Sequence, residues 1–211
     1  MLAIYPIATN QSLKPGIDLA QTVSLTIPED LFPLTEKDVF IFSSISISMA
    51  QCNIAEYENQ QEKSRIIENE SIRYLRIIKD RKITETIHGL ISENSGVLEF
   101  DEKNLILLPR DIDKAAHSLR NALKHLNGYD IPVIINGDIF RPFRQGKISI
   151  AMGISGLDTK TAICDELASA ASIVMSDADS YGVLLRGTDK KYRGNGKASD
   201  LITPNNEKLF S

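Results

Sequence analysis

The chain has 211 residues, 42 % apolar and 25 % charged, with a formal net charge of -4. That is enough apolar material for one packed core, so a single domain over 1–211 is expected. The acidic balance argues against a general nucleic-acid binder, which carries a basic face. With no basic-then-apolar leader and no apolar run near the ~20 residues of a membrane span, no membrane partner and a cytoplasmic location are expected.

In chain order, residues 2–25 read as a short strand, a loop turned at Lys14-Pro15-Gly16, and a brief helix over Asp18 to Val23. Asp38 to Phe42 begins a strand whose alternation continues through Ile45 and Ile47. Cys52 sits in a polar stretch, and with Cys164 it makes neither a disulfide framework nor a CxxC pattern, so both read as reduced thiols. Residues 58–80 favour a helix with a thin stripe of Ile67, Leu75 and Ile78. Ile83 to Ile91 reads as a strand ending at His88-Gly89, Asn94-Ser95-Gly96 as a turn, and Leu105 to Leu108 as an apolar run closed by Pro109.

Asp111 has the chemistry of an N-cap for a helix carrying Ala115, Ala116, Leu119, Leu123 and Leu126, ended by Gly128. His117 and His125 fall on its solvated side. Ile131 to Ile135 is a buried strand, Ile148 to Met152 another, and Thr159 caps a helix with Ile163, Leu167, Ala170 and Val174 on one face. Val183 to Leu185 is a last strand, and the segment 188–211 is a polar clasp or site loop. Irregular alternation of strands and helices implies an α+β fold of mixed sheets with packed helices.

Walker A, GxGxxG, HExxH and GxSxG motifs are all missing. Asn136 to Gly146 follows a buried strand and places Asp138, Arg141 and Arg144 at its carboxyl end, a common position for a site. A carboxylate there suits a hard cation, and arginines suit phosphates or carboxylates. A surface loop with an Asp–Arg pair explains the same residues equally well. Arg193-Gly194-Asn195-Gly196-Lys197 is a glycine loop with flanking charge, the kind whose N–H groups turn toward an anion. Asp101 to Asn104 brings oxygen ligands beside an apolar run, or simply a turn.

Taken in order, these pieces resemble the coenzyme F-420:gamma-glutamyl ligase family over nearly the whole length. Leu13 to Leu19 is similar to the family's "kpGDDL" segment, Glu85 to Leu90 to "ETxHGF", Asn94 to Val97 to "NAGI", and Leu107 to Asp111 to "LLPxDPD". Ala151 to Leu157 is similar to "AIGVAGL", Asp165 to Ala171 to "DELAxAA", and the tail from Arg186 to Phe210 to a family ending with "RG", "GxG" and "DLF".

The resemblance implies a homodimer with sites near the subunit interface. It implies GTP, with ATP as the other nucleotide to consider, and a divalent metal, magnesium or manganese. The acceptor carboxylate is phosphorylated, and the amine of L-glutamate displaces phosphate from the acyl phosphate. The acceptor is a small coenzyme, the F-420 precursor or a reduced folate.

Carried over by position, Asp138 matches the metal-binding Asp of "SDT", and Asn195 falls in the nucleotide-contacting "GxG" loop with Arg193, Gly194, Gly196 and Lys197. Asp101 and Asn104 match a D-x-x-N metal and nucleotide pair if the loop before them has shifted; otherwise Leu98 takes the Asp position. Asp138, Arg141 and Arg144 are the catalytic candidates, and Asp138, Asp101 and Asn195 the metal ligands.

The chain departs from the family where lysines are expected, at Ile45 and Met49, and where a hydroxyl is expected, at Ile139. The loop between Leu157 and the following helix is also short. Lys14, Lys103 and Lys147 are the candidates to replace the lost lysine charge. Two main readings follow, an active ligase or an impaired or repurposed homologue acting as a dimeric binding scaffold, with a pure interaction module as a third.

Overall fold

The computed structural model describes residues 1–8, 13–78, 81–140, 144–175, 180–204 and 207. Its elements run β1 (Ala3–Ala8), α1 (Leu19–Thr26), β2 (Asp38–Ser43), α2 (Ser44–Ala50), β3 (Ile54–Glu56), α3 (Gln60–Asn69), β4 (Ser71–Ile78) and β5 (Arg81–Thr86). They continue with β6 (Ile91–Glu93), β7 (Leu98–Glu99), β8 (Asn104–Ile106), α4 (Ile112–Asn127), β9 (Val133–Phe140), β10 (Lys147–Ser155), α5 (Ile163–Ser172) and β11 (Ser180–Arg186). This is the expected α+β arrangement of mixed sheets with packed helices. No helix among the described residues is long and apolar enough to cross a membrane.

The centre is a five-stranded sheet in the order β1-β11-β2-β9-β10, parallel only between β2 and β9. Its middle strands are apolar on both faces because both faces are covered. Phe40, Phe42, Val133 and Ile135 pack with α1 and α4, whereas Val39, Ile41 and Ile134 pack with Leu167, Ala168 and Ala171 of α5. Strict period-two alternation therefore splits two adjacent runs between two cores. Two small antiparallel sheets, β3-β8-β7 and β4-β5-β6, flank this body. A third cluster of Tyr57, Ile67, Val97 and Leu105 holds α3 down.

α4 follows its sequence signals closely. The Asp111 carboxylate accepts the Lys114 N–H at 2.9 Å, a cap worth about 1 kcal/mol. Gly128 stops the helix in the left-handed region at φ 77°, where a side chain would cost energy. Its buried stripe is Ile112, Ala115, Ala116, Leu119 and Leu123, while His117 and His125 are exposed and Leu126 is half exposed. Cys52 and Cys164 are both free thiols, and burial pushes the Cys164 thiol up to about 12.

Five expectations need correction. The strand expected over Ile83 to Ile91 is two: β5 ends at Thr86, and the chain turns through His88-Gly89 into β6 at Ile91, with the Gly89 N–H donating to the Thr86 carbonyl at 2.9 Å. The strand from Asp38 does not continue through Ile47: the Ser43 hydroxyl accepts the Ser46 N–H at 3.0 Å and starts α2. That local cap overrides the Ser/Ile alternation, and Ser46 and Ser48 are buried with Ile47 and Met49. The helix over 58–80 ends at Asn69, because Ile72, Tyr74, Ile77 and Ile78 are β-branched or aromatic and pair as β4 with β5. The strand after Ile131 runs to Phe140, which puts Asp138 inside β9 opposite Ser149 and not in a following loop. Finally, α5 begins after Ala162 with no side-chain cap, so Thr159 does not cap it.

Candidate functional site

Two cavities adjoin β9 and β10, and Met152 lines both. The smaller, about 210 Å³, lies at the carboxyl end of the parallel pair β2–β9, where Ser43 faces Asn136 across the ladder. In open sheets ligands bind outside the carboxyl ends of strands. The exposed Asp138 carboxylate sits in this cavity, with Oδ1 accepting the Ser149 hydroxyl at 2.6 Å. Ser44, Ser46 and the exposed Lys147 share the lining. Of the three candidate lysines Lys147 is the one that lines the site, with its ammonium 5.4 Å from the Phe140 ring centroid. Lys14 and Lys103 do not line it.

Ile45 and Leu98 line the same cavity. Ile139, on the opposite face of β9 from Asp138, packs against the core of α1 and α4, and Met49 is buried. Glu93 is the second carboxylate in the lining, but Arg81 holds it through two hydrogen bonds of 2.7 and 3.0 Å.

The larger cleft, about 800 Å³, lies between the N-terminal half of α4, β10 and the segment 195–202. Asn195, Gly196 and Lys197 line it, together with His88, Arg110, Lys114, His117 and Arg120. One carboxylate organises it. Asp113 Oδ1 accepts the N–H of Ile154 at 2.9 Å and of Ala198 at 2.8 Å, and Oδ2 accepts the N–H and hydroxyl of Ser199 at 3.2 and 3.0 Å. The tail is therefore clamped to α4 by charge-assisted hydrogen bonds, the strong kind. Burial, then the Arg110 guanidinium, holds the half-buried His88 below its ordinary value. Arg110 pairs with the buried Glu70 at 2.6 Å and stays two-thirds exposed at 66 %.

Between the two cavities β10 carries a bulge. Ala151 pairs with Asn136 and Gly153 with Ile135, leaving Met152 as the extra residue. β10 is also the edge strand of the sheet, so its outward N–H groups need acceptors from elsewhere, and carboxylates supply them: Asp165 accepts the Ala151 N–H at 3.0 Å and Asp113 that of Ile154 at 2.9 Å. Gly137 lacks a side chain because Met152 lies over it; a Cβ there would stand 2.3 Å from the sulfur.

The predicted residues thus fall in several places. Asp138 lines the small cavity; Asn195, Gly196 and Lys197 line the large cleft. Asp101 and Asn104 line neither. They close the β7–β8 turn on each other, with Asp101 accepting the N–H groups of Lys103 and Asn104 and the Asn104 amide. Those donors, the Lys103 N–H first, hold the Asp101 carboxyl below its usual range.

The glycine loop also does something other than expected. The N–H groups of Gly194 and Gly196 donate to the carbonyls of Gly156 and Leu157, so they do not turn to an anion. The glycines are needed for close approach, since a Cβ on Gly196 would lie 2.5 Å from the Thr159 hydroxyl. The Arg193 guanidinium donates to the carbonyls of Glu36 and Asp130, outside both cavities. Arg144 is exposed and lines neither cavity, and Arg141 lies outside the described residues.

The predicted metal set does not converge, and no three His, Cys, Asp or Glu side chains among the described residues come together to hold a metal. The donor chemistry at Asp138 fits a narrower role. One carboxylate that takes a single hydrogen bond, from Ser149, among the described residues, with serine hydroxyls in the same lining, suits a cation that takes its remaining ligands from phosphate and water, as magnesium does. Sequence reading passed over Asp113, Arg110 and Lys114 as site residues, although the motif containing Asp111 was in view. The available signal was the second acid two residues after the cap, on a helix turn that faces β10.

The model of the family described as F420-0:Gamma-glutamyl ligase matches residues 9–186. The chain is 34 % identical to a coenzyme F420:L-glutamate ligase of Methanocaldococcus jannaschii over 208 residues, covering 88 % of this chain and 83 % of the relative. It is 29 % identical to one of Methanopyrus kandleri over 253 residues, covering 99 % and 97 %. That alignment is longer than this chain, so the relative carries insertions that are missing here.

Proposed function

The chain belongs to the F420-0:Gamma-glutamyl ligase family, and from that premise we propose that it joins L-glutamate by an amide bond to the carboxylate of a small coenzyme. The F-420 precursor is the first acceptor to consider and a reduced folate the second. A carboxylate is a poor electrophile, so the reading includes its conversion to an acyl phosphate by GTP or ATP before the amine attacks. The observation that carries the proposal is Asp138, an exposed carboxylate beside Lys147 and serine hydroxyls at the carboxyl end of β2 and β9.

In this reading Asp138 holds a magnesium or manganese ion, which when bound neutralises charge on the transferring phosphoryl group. Lys147 supplies the cation that the family places at the positions of Ile45 and Met49. The hydroxyls of Ser44 and Ser46 offer donors to phosphate oxygens. The homodimer implied by the family has its support in β4, an edge strand with Ile72 and Ile77 more than half exposed.

A second reading, an impaired or repurposed homologue that keeps the scaffold, is favoured by one feature: Ile45 and Leu98 line the cavity where charged groups would help. Thermal unfolding with GTP or ATP, each with and without manganese, separates the two, since a ligand of the folded state raises the midpoint. A metal-dependent rise, together with a fall in turnover of about a hundredfold or more in Asp138→Asn, is the expected result. No rise at millimolar nucleotide would favour the scaffold, and turnover that survives Asp138→Asn would remove the metal role from that residue.

A further inference from the structure

Glu93 is a carboxylate on a cavity wall that is withheld from the cavity. It ends β6, pairs with Ile83 of β5, and lines the space around Asp138. Arg81, on the same strand as Ile83, takes both of its oxygens: Nε donates to Oε1 at 2.7 Å and Nη2 to Oε2 at 3.0 Å. An ion pair on open surface contributes little. This one is two-pronged, the strong geometry, and it engages a group that faces the site.

Arg81 has a second hold. Its guanidinium carbon stands 4.9 Å from the centroid of the Phe140 ring, and the Lys147 ammonium stands 5.4 Å from the same centroid. Phe140 and Asp138 are two residues apart in β9 and so share a face. One small region thus gathers two carboxylates, Asp138 and Glu93, and two cations, Arg81 and Lys147. The Arg81 side chain is 55 % exposed. It can let go of Glu93 and keep both its seat on the ring and its contact with water.

A hard divalent cation is held more tightly with each carboxylate that reaches it. Ile45 and Leu98 in the same lining offer no oxygen from their side chains, and Glu93 is the one further carboxylate there among the described residues. We propose that Glu93 is a cation ligand held in reserve: a divalent ion at Asp138 draws its carboxylate away from Arg81, and Arg81 is the latch that sets how tightly the ion is held. The step is an exchange of partners with no covalent change. Glu93 trades two N–H donors for the ion, and Arg81 passes to solvent and the Phe140 ring. The inference rests on the metal role read for Asp138 and adds a second ligand with the positioning residue that controls it.

The experiment is manganese titration of the full chain, read by electron paramagnetic resonance, in wild type, Asp138→Asn, Glu93→Gln, Arg81→Met and the Arg81→Met/Glu93→Gln double variant. Glutamine keeps the shape of Glu93, and methionine keeps an apolar stem beside Phe140. Glu93→Gln should weaken manganese about tenfold, Arg81→Met should tighten it about fivefold, and the tightening should vanish in the double variant. Opposite signs from the two members of one ion pair are not what a structural pair gives, since breaking it from either side would loosen the site alike.

Wild-type affinity in Glu93→Gln overturns the inference, and leaves the reading of Asp138 standing where Asp138→Asn loses the ion. Weaker binding in Arg81→Met overturns the latch. Tightening that persists in the double variant overturns it too, and reduces Arg81 to a repelling charge. If Asp138→Asn holds manganese as well as wild type, or if wild type holds none, the metal role of Asp138 falls and takes the inference with it. Circular dichroism melts matching wild type exclude unfolding as the cause of any loss, and Glu93→Gln by itself tests the ligand even where Arg81→Met is unstable.

Discussion

The two cavities differ in what holds them together. The small one is built by regular elements of the central sheet: Asp138 and Ser149 face each other across an unbroken part of the β9–β10 ladder. The large one is assembled from pieces far apart in sequence, and a single carboxylate, Asp113 of α4, ties two of them, β10 and the C-terminal segment, to that helix. The first should therefore keep its shape when its side chains change. The second should lose its shape when one side chain is lost.

Asp113→Ala tests this contrast most severely. It leaves the N–H groups of Ile154, Ala198 and Ser199 without their acceptor, and should cost about 2–3 kcal/mol in urea unfolding. The tail should also become sensitive to protease while Asp138 and manganese binding are unaffected. If the tail stays protected, the clamp is not what orders the cleft.

Leu98→Asp probes the other side. It puts a second carboxylate into the small cavity at the position the family resemblance offers as an alternative to Asp101. Manganese affinity, read by electron paramagnetic resonance, should rise about tenfold. An unchanged affinity would mean that position 98 does not face the cation.

The smallest effect concerns His88. Its folded pKa lies below the ordinary 6.5, chiefly through burial, so the unfolded chain takes up the proton first as pH falls. Stability is then lost as pH drops from about 6.5 through the lower folded value. His88→Gln should flatten that part of a melting-midpoint profile by a few degrees at most. The same slope in wild type and variant would place the titrating group elsewhere.

The contrast also explains what could be read from sequence. α4 was legible from end to end because its cap, stripe and stop are local and agree with one another. The β2–α2 boundary was not, since the pattern of Ile45 and Ile47 suits a strand and only the Ser43 cap decides otherwise. Asp138 could be picked out because it follows a dense apolar run. The role of Asp113 could not, as its partners Ile154, Ala198 and Ser199 lie 41 to 86 residues away. The glycines of 194–196 were visible as a loop, but their reason, close approach to Asp158 and Thr159, depends on a pairing no local pattern records.

The bulge at Met152 has a consequence for anyone editing this chain. A residue in a regular ladder cannot be deleted without exchanging the faces of everything beyond it. Met152 is the extra residue, so its removal would restore plain alternation: Ala151 and Ile154, already on one face, would stay there. Nature has left one position in β10 outside the parity of the strand. A shorter side chain or a deletion there would thin the lining that the two cavities share and leave the sheet that carries them in register.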